Sequence, residues 1–329
     1  MNISNLKVLV LYFFLTGVYV NVYAHGVPTH SNITRAAVDY VSKLDQRLAC
    51  SRRLNDFLQI GTVHEDDTPR FMFHFYPRLN DGRTTSTCSS RDWAFNNTSC
   101  YQEGGAPIFL ASTLTNQHGW SEAIQSNTSD QGFTELGYVL HLLEDLTSPA
   151  HTRNDAHPPG LDGDPVEAVT RIPASPSLST GLLSFSSPEV AFDTLQRFTS
   201  TNFYSADTVF VGSGPVSVRD DDDYFYDSQD RRIAYKGLAY TLSGFTEASR
   251  DRTQATINAT IATEQFARLG PVAVRYTASL IKHYVDTTLF QTGDCFIDFE
   301  EFTGGSLFTT ADPPLLTENA TISGGQILS

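Results

Sequence analysis

The sequence predicts an all-α chain, and three observations carry that expectation. Apolar residues recur at helical spacing over several long stretches. No alternating strand pattern stands out before Cys295. The stretch from 136 to 146 is apolar nearly all round, as a helix buried in a core should be. With 329 residues and 40% hydrophobic content, the chain has material for one large domain or two modest ones.

Residues 1–24 read as a secretory signal: Lys7, an apolar run over 8–20, then Val22-Tyr23-Ala24. The run is short for a membrane span. Cleavage after Ala24 leaves His25 as the first residue of a secreted or periplasmic protein. Residues 31–48 read as a helix that Ser31 can cap, with Ile33, Ala37, Tyr40, Val41 and Leu44 at helical spacing. A short helix over 55–60 should stop at Gly61. Residues 61–105 are loop-like, and 108–124 read as a helix interrupted at His118-Gly119. The central helix is expected over 131–148, ended by Pro149. A Pro/Gly/Ser-rich segment covers 154–185, with a short helix at 165–170. Helices follow at 188–200, with Val190, Ala191, Leu195 and Phe198 on one side, and at 232–244. A long helix over 259–289 should break near Gly270-Pro271. Asp220 to Asp223 read as a solvated loop. Residues 295–329 look like short strands and turns, too few to bury a core of their own.

Four cysteines in an exported chain suggest two disulfides out of three possible pairings. Cys88–Cys100 would pin a polar loop, and Cys50–Cys295 would tie the first helix to the last. No Cys-x-x-Cys pair is present, which argues against a thiolate zinc finger. The net charge of −15 discourages tight binding to a nucleic-acid backbone, so no stable nucleic-acid partner is expected. Asn32, Asn96, Asn97, Asn127, Asn258 and Asn319 head N-x-S/T sequons, acceptors only in a eukaryotic secretory pathway.

Most of the nine histidines fall in four motifs. The first is His25-Gly-Val-Pro-Thr-His30. The second runs from Gly61 through His64-Glu65-Asp66-Asp67 to His74-Phe75-Tyr76. The third is His141-Leu-Leu-Glu144-Asp145-Leu-Thr-Ser-Pro149-Ala-His151. The fourth is His157 followed by Gly163-Asp164-Pro-Val-Glu167. His141 and Asp145, four apart on a helix, share a face, and the turn at Pro149 can bring His151 back to them. A buried carboxylate is costly unless it is paired or holds a metal. Imidazole and carboxylate ligands suit zinc. A core His–Asp hydrogen bond is the plainer alternative for the third motif alone.

Together the motifs resemble the zinc-dependent phospholipase C and S1/P1 nuclease superfamily over roughly residues 25–290. The third motif fits its signature of His, three residues, Asp, three residues, Pro, one residue, His. His74-Phe75-Tyr76 after Asp66 fits the second ligand segment, and Asp66 stands five residues after Gly61, as in the phospholipases. Thr29-His30 opening a helix fits the first segment. Leu269-Gly270-Pro271 and the segment at 278–281 are similar to the bacterial phospholipase branch, which is favoured.

The resemblance implies a multi-helical domain over 25–294, with 295–329 a tail or the start of a β domain, and three zinc ions. One site would use Asp66, His74, His141 and Asp145. A second would use His151 and Glu167, with Asp164 or His157 as its further ligand, because Gly163 stands where the family has His. The third would use the amino terminus at His25, where the family usually has Trp, with His30 and a bridging Asp145. Spacing from His25 to His30 follows the nuclease branch.

Asp66 is the expected general base or orienting carboxylate, with Phe71 and Asp67 as candidate substrate contacts. Glu65 and Glu144 are read as supports for ligands. Arg153 and Asn154 are read as braces for His151. His64, His118 and His283 are read as surface or hydrogen-bonded residues. The activity implied is a phospholipase C acting on phospholipid at a membrane surface. The alternatives are a single-strand nuclease stacking a base on Phe71, Phe75, Tyr76 or Trp120, and a non-catalytic exported zinc binder.

Overall fold

The computed structural model describes residues 27–49, 54–67, 69–76, 85–86, 88–96, 99–103, 112–126, 129–153, 155, 165–169, 171–237 and 255–288. The signal segment, His25, Cys50, Asn154, His157, Asp164 and the tail from Cys295 lie outside the described residues, and so does the Cys50–Cys295 pairing. Among the described residues no helix is long and apolar enough to cross a membrane.

The chain is helix-rich, with two small antiparallel sheets. Helix α1 (Val27–Leu44) leads into α2 (Gln46–Ala49) and α3 (Leu54–His64). A 3-10 turn (Arg70–Phe73) follows, then β1 (Thr85–Ser86), α4 (Ser90–Phe95), β2 (Ser99–Glu103), β3 (Ser112–Thr115) and α5 (Trp120–Gln125). Helix α6 (Ser129–Asp145) is followed by α7 (Pro149–Arg153) and α8 (Pro188–Asn202). The second sheet has β4 (Arg219–Asp220), β5 (Tyr224–Tyr226), β6 (Arg232–Lys236) and β7 (Ala255–Thr256) in sequential order, and α9 (Ala259–Thr287) ends the described chain.

Helix α6 is the centre. It contacts α1, α3, α4, α5, α8 and α9, and burial is continuous from Glu135 to Arg153. Leu136, Val139, Leu140, Leu142 and Leu143 supply its part of the main core, with Leu146 directly after it. Without tertiary cover, so apolar a helix would be insoluble; here its neighbours close around it. Gly61 of α3 and Gly137 of α6 meet where these two helices cross. A Cβ on Gly61 would lie 2.0 Å from the Thr134 carbonyl, and one on Gly137 would lie 2.3 Å from the Leu58 carbonyl. Gly61 therefore does not stop a helix, as its type suggested. It lets α3 continue to His64 in backbone contact with α6.

Several expected elements are corrected. Helix α1 starts at Val27, so His30 lies inside it and Ser31 is not its cap. Pro28 suits a first turn, where its missing N–H is not needed. Residues 112–115, expected in a helix, form β3, in keeping with Thr113 and Thr115. Residues 232–236 form β6 and not the start of a helix. The turn before it is set by Asp227, whose Oδ1 accepts from the N–H groups of Gln229 (2.9 Å) and Arg231 (3.0 Å). Residues 165–169, expected within a short helix, form a turn. Helix α9 runs unbroken through Gly270-Pro271 because its buried face, from Leu269 to Ile281, outweighs one missing hydrogen bond. On α8 the inward side is Ala191, Phe192, Leu195 and Thr199, while Val190 and Phe198 face solvent.

The Cys88–Cys100 disulfide is present and ties the start of α4 to β2, so it pins the loop as expected. A second apolar cluster, with Val166, Tyr204, Ile233, Ile257 and Ile261, joins the second sheet to the start of α9.

Candidate metal centre

Five segments deliver the predicted residues to one point at the C-terminal end of α6. Helix α1 brings His30, the turn after α3 brings Glu65 and Asp66, and the segment after the 3-10 turn brings His74. Helix α6 brings His141 and Asp145, and α7 brings His151. The turn at 165–169 adds Glu167. All of these side chains are buried, His30, His74, His141 and Asp145 completely.

Asp145 lies between imidazoles. Its Oδ2 is 2.8 Å from His74 Nδ1 and 3.4 Å from His141 Nε2. Its Oδ1 is 3.2 Å from His30 Nε2 and 3.9 Å from His151 Nε2. Asp66 Oδ1 stands 3.5 Å from His141 Nε2 and 3.8 Å from His74 Nδ1. Glu167 Oε1 is 2.8 Å from His151 Nε2 and accepts from Ser148 Oγ at 3.1 Å. Two triads, His30 with Asp66 and His141, and His74 with His141 and Asp145, each keep their ligand atoms within 4.8 Å of one another. These buried clusters could hold a metal ion.

The tethers of the rings support this. A metal-binding histidine usually donates its second N–H to a carboxylate or carbonyl, which fixes the ring. Nδ1 of His141 lies 2.6 Å from the Thr62 carbonyl, and Nδ1 of His151 lies 3.2 Å from the His74 carbonyl. Nδ1 of His30 lies 2.9 Å from Glu144 Oε2. With Nδ1–H donating in each case, the three Nε2 lone pairs turn towards the cluster. His74 is reversed: Nδ1 faces Asp145 and Nε2 faces Glu65 at 3.6 Å. His74 Nδ1, His141 Nε2 and both Asp145 oxygens converge closely and are buried without a hydrogen bond of acceptable angle. Buried polar atoms seldom go without hydrogen bonds. A shared cation would satisfy them together.

The supports are themselves held. Glu144 Oε1 accepts from Thr34 Oγ1 of α1 at 2.9 Å and from Thr277 Oγ1 of α9 at 3.3 Å. Glu65 accepts from Trp93 Nε1 at 2.9 Å and from Arg70 Nε at 2.8 Å. Arg70 also donates to Asn116 at 2.9 Å. Glu65 and Glu144 thus stand behind His74 and His30, as expected. Thr34 could have been found in the sequence, since it lies four residues after His30 on the same helix. Thr277, Trp93 and Arg70 carry no local signal towards the site.

Burial alone would lower the His74 pKa, but Asp145 and Glu65 raise it to about 9. His141, against Asp66 and Asp145, is raised well above its ordinary value despite its burial, and His30 is raised beside Asp145 and Glu144. Burial would raise Asp145, yet His151, His141 and His74 hold it well below the usual carboxylate range. Asp66 is lowered chiefly by His141, again against its burial. Without metal, His74 keeps its proton at neutral pH and His30 and His141 are shifted in the same direction, whereas a metal takes only the neutral ring. Zinc loading at pH 7 should therefore release protons, and affinity should rise as pH climbs towards about 9, the value for His74. Calorimetry in buffers of different ionisation enthalpy checks this. A heat independent of buffer would mean the rings are already neutral.

The other residues singled out in the sequence have the following surroundings. Arg153, read as a brace for His151, turns its buried guanidinium to the segment after α8, described below. Asp67 is exposed and lies 2.8 Å from His64 Nδ1. Phe71 packs half-buried on the main core, and Trp120 packs against Phe95, His283 and Tyr284. Phe75 is half-buried and stacks on His151, with ring centroids 4.6 Å apart. Tyr76 donates to Asp193 at 2.7 Å. His118 lies 2.9 Å from Glu135 and stacks on Tyr138.

No protein-family model matches the chain, and no curated protein or solved structure matches it.

Proposed function

We propose that the chain is an exported zinc-dependent phosphodiester hydrolase of the phospholipase C type. The observation that supports this most is Asp145, buried among four imidazoles of which three turn Nε2 inward. His30, Asp66, His74, His141 and Asp145 would hold metal there, and His151 with Glu167 would hold a further ion. Nitrogen and oxygen donors without thiolates fit zinc in a catalytic setting. Zinc so held supplies positive charge to phosphoryl oxygens and lowers the pKa of water from about 15.7 towards about 7.

The chain's own residues do the rest. Asp66 is ionised at neutral pH and serves as the acceptor that orients the attacking water and takes its proton. Glu144, Glu65 and the carbonyls of Thr62 and His74 hold the imidazole rings in place. Water adds to phosphorus, the bond to the glycerol oxygen breaks, and the proton taken from the water passes from Asp66 through solvent to that oxygen, so that diacylglycerol and a phosphomonoester leave. The net charge of −15 favours a lipid over a polyanionic strand.

A single-strand nuclease is the second reading. Phe75, half-exposed against His151, would stack a base. Zinc-loaded protein should release diacylglycerol from mixed phospholipids, and a chelator should stop it. A digest of single-stranded DNA alongside separates the two readings. Nucleotide release without diacylglycerol would select the nuclease. Neither product at full zinc loading would leave a non-catalytic zinc binder.

A further inference from the structure

We propose that residues 204–218 form a membrane-contact surface that seats on zwitterionic phospholipid. Lipid as the partner rests on the phospholipase reading above. Of the eleven large hydrophobic residues exposed among the described residues, four lie here: Phe210 (45%), Val211 (38%), Val216 (74%) and Val218 (60%). Exposed single apolar residues are ordinary, but a cluster of them marks a contact surface.

The patch is built, not loose. Tyr204 is its base: the Phe210 ring packs on it at 5.6 Å, and its hydroxyl donates to the Pro215 carbonyl at 2.8 Å. Val216 and Val218 are exposed with Ser217 half-buried between them, so they share a face, and the Val218 N–H bonds the Tyr226 carbonyl at 2.9 Å. Phe210 has φ of 60°, a left-handed conformation that a bulky residue rarely adopts. Arg153 holds it there. Its guanidinium donates to the carbonyls of Thr208 (3.1 Å), Val211 (2.6 Å) and Ser213 (2.7 Å), on both sides of Phe210. Strain held by a dedicated clamp points to use.

The clamp also sets where the patch lies. Arg153 is the last residue of α7, two after His151, and the Asp207 N–H bonds Asp155 at 3.0 Å. The backbone that carries Phe210 and Val211 is therefore bonded directly to the helix that carries one of the proposed zinc ligands. Charge selects the lipid. Residues 204–218 contain a single charged side chain, Asp207, in a chain of net charge −15. An uncharged apolar surface on an acidic protein suits a neutral bilayer, since an anionic one would repel the rest of the molecule.

The test is sedimentation of zinc-loaded full-length protein with phosphatidylcholine vesicles, comparing wild type with Val216→Asp/Val218→Asp. Both positions are exposed, so folding should be kept. The double variant should lose about tenfold or more in vesicle partition. Its turnover of a monomeric short-chain phospholipid should be unchanged. Val216→Trp should be quenched by bromine-labelled acyl chains. Equal partition of wild type and variant overturns the surface, as does stronger binding to anionic than to phosphatidylcholine vesicles. Self-association abolished by the double variant, with no vesicle binding, overturns it in favour of a second copy of this chain. Vesicle binding with no lipid hydrolysis would keep the surface and remove the phospholipase reading; hydrolysis of monomers without vesicle binding would do the reverse.

Discussion

Asp145→Asn is expected to release metal and abolish phosphodiester hydrolysis, the largest effect of any single substitution. Its two oxygens face different imidazoles, so it is the group that joins the proposed sites. The amide keeps the shape but removes the charge that would balance the proposed cations. The metal-free fold should suffer as well. Without the carboxylate, His74 and His141 lose the partner that stabilises their protonated forms. Breaking a buried ion pair on one side typically costs about 3–5 kcal/mol. Metal analysis and denaturant unfolding, each with and without a chelator, read the two effects separately. Normal zinc content and turnover in the variant would remove Asp145 from the centre.

Gly61→Ala should damage the protein from outside the cluster. The new methyl would sit 2.0 Å from the Thr134 carbonyl, 2.7 Å from the Tyr138 nitrogen and 2.9 Å from the Gly137 Cα. These are backbone atoms and cannot rotate away, so α3 and α6 must separate. Overpacking costs typically ~1–3 kcal/mol, and a backbone clash belongs at or above the top of that range. Separation would also move Asp66, five residues on, away from His141. The expected result is a fold weakened by about 3 kcal/mol or more, with reduced zinc affinity. Unfolding curves with wild-type midpoint would show that the two helices can part at little cost.

The centre was more legible than the frame around it. His141, Asp145 and His151 follow from spacing alone, because helical period and a proline fix where they point. Asp66, His74 and Glu167 followed only from comparison with a known ligand order, since nothing local brings them to α6. Strands β3 and β6 carry no strand signal of their own because four or five residues are too few to show a period. Their pairing partners, not their own composition, decide them. By residue type alone, Gly61 and Gly270 predict breaks. Each lies at a close approach of other backbone or proline, so tertiary contact overrode a weak local preference. The grip of Arg153 on the 200–213 carbonyls had no sequence signal, since backbone acceptors look alike in every residue.

Glu144 lies against His30, 114 residues earlier, Thr34, 110 earlier, and Thr277, 133 later. The first and last described helices thus converge on one carboxylate next to Asp145. Closing such long loops comes late, because their entropy is lost before the contact rewards it. The ring of His30 acquires its full set of restraints only when α9 has docked. In the time order of folding, the interior of α6 can collapse early on its leucines, whereas the carboxylate at its end is the last part to be ordered. During synthesis, a chain that has not yet reached residue 277 holds its histidines and aspartates without the brace that orients them.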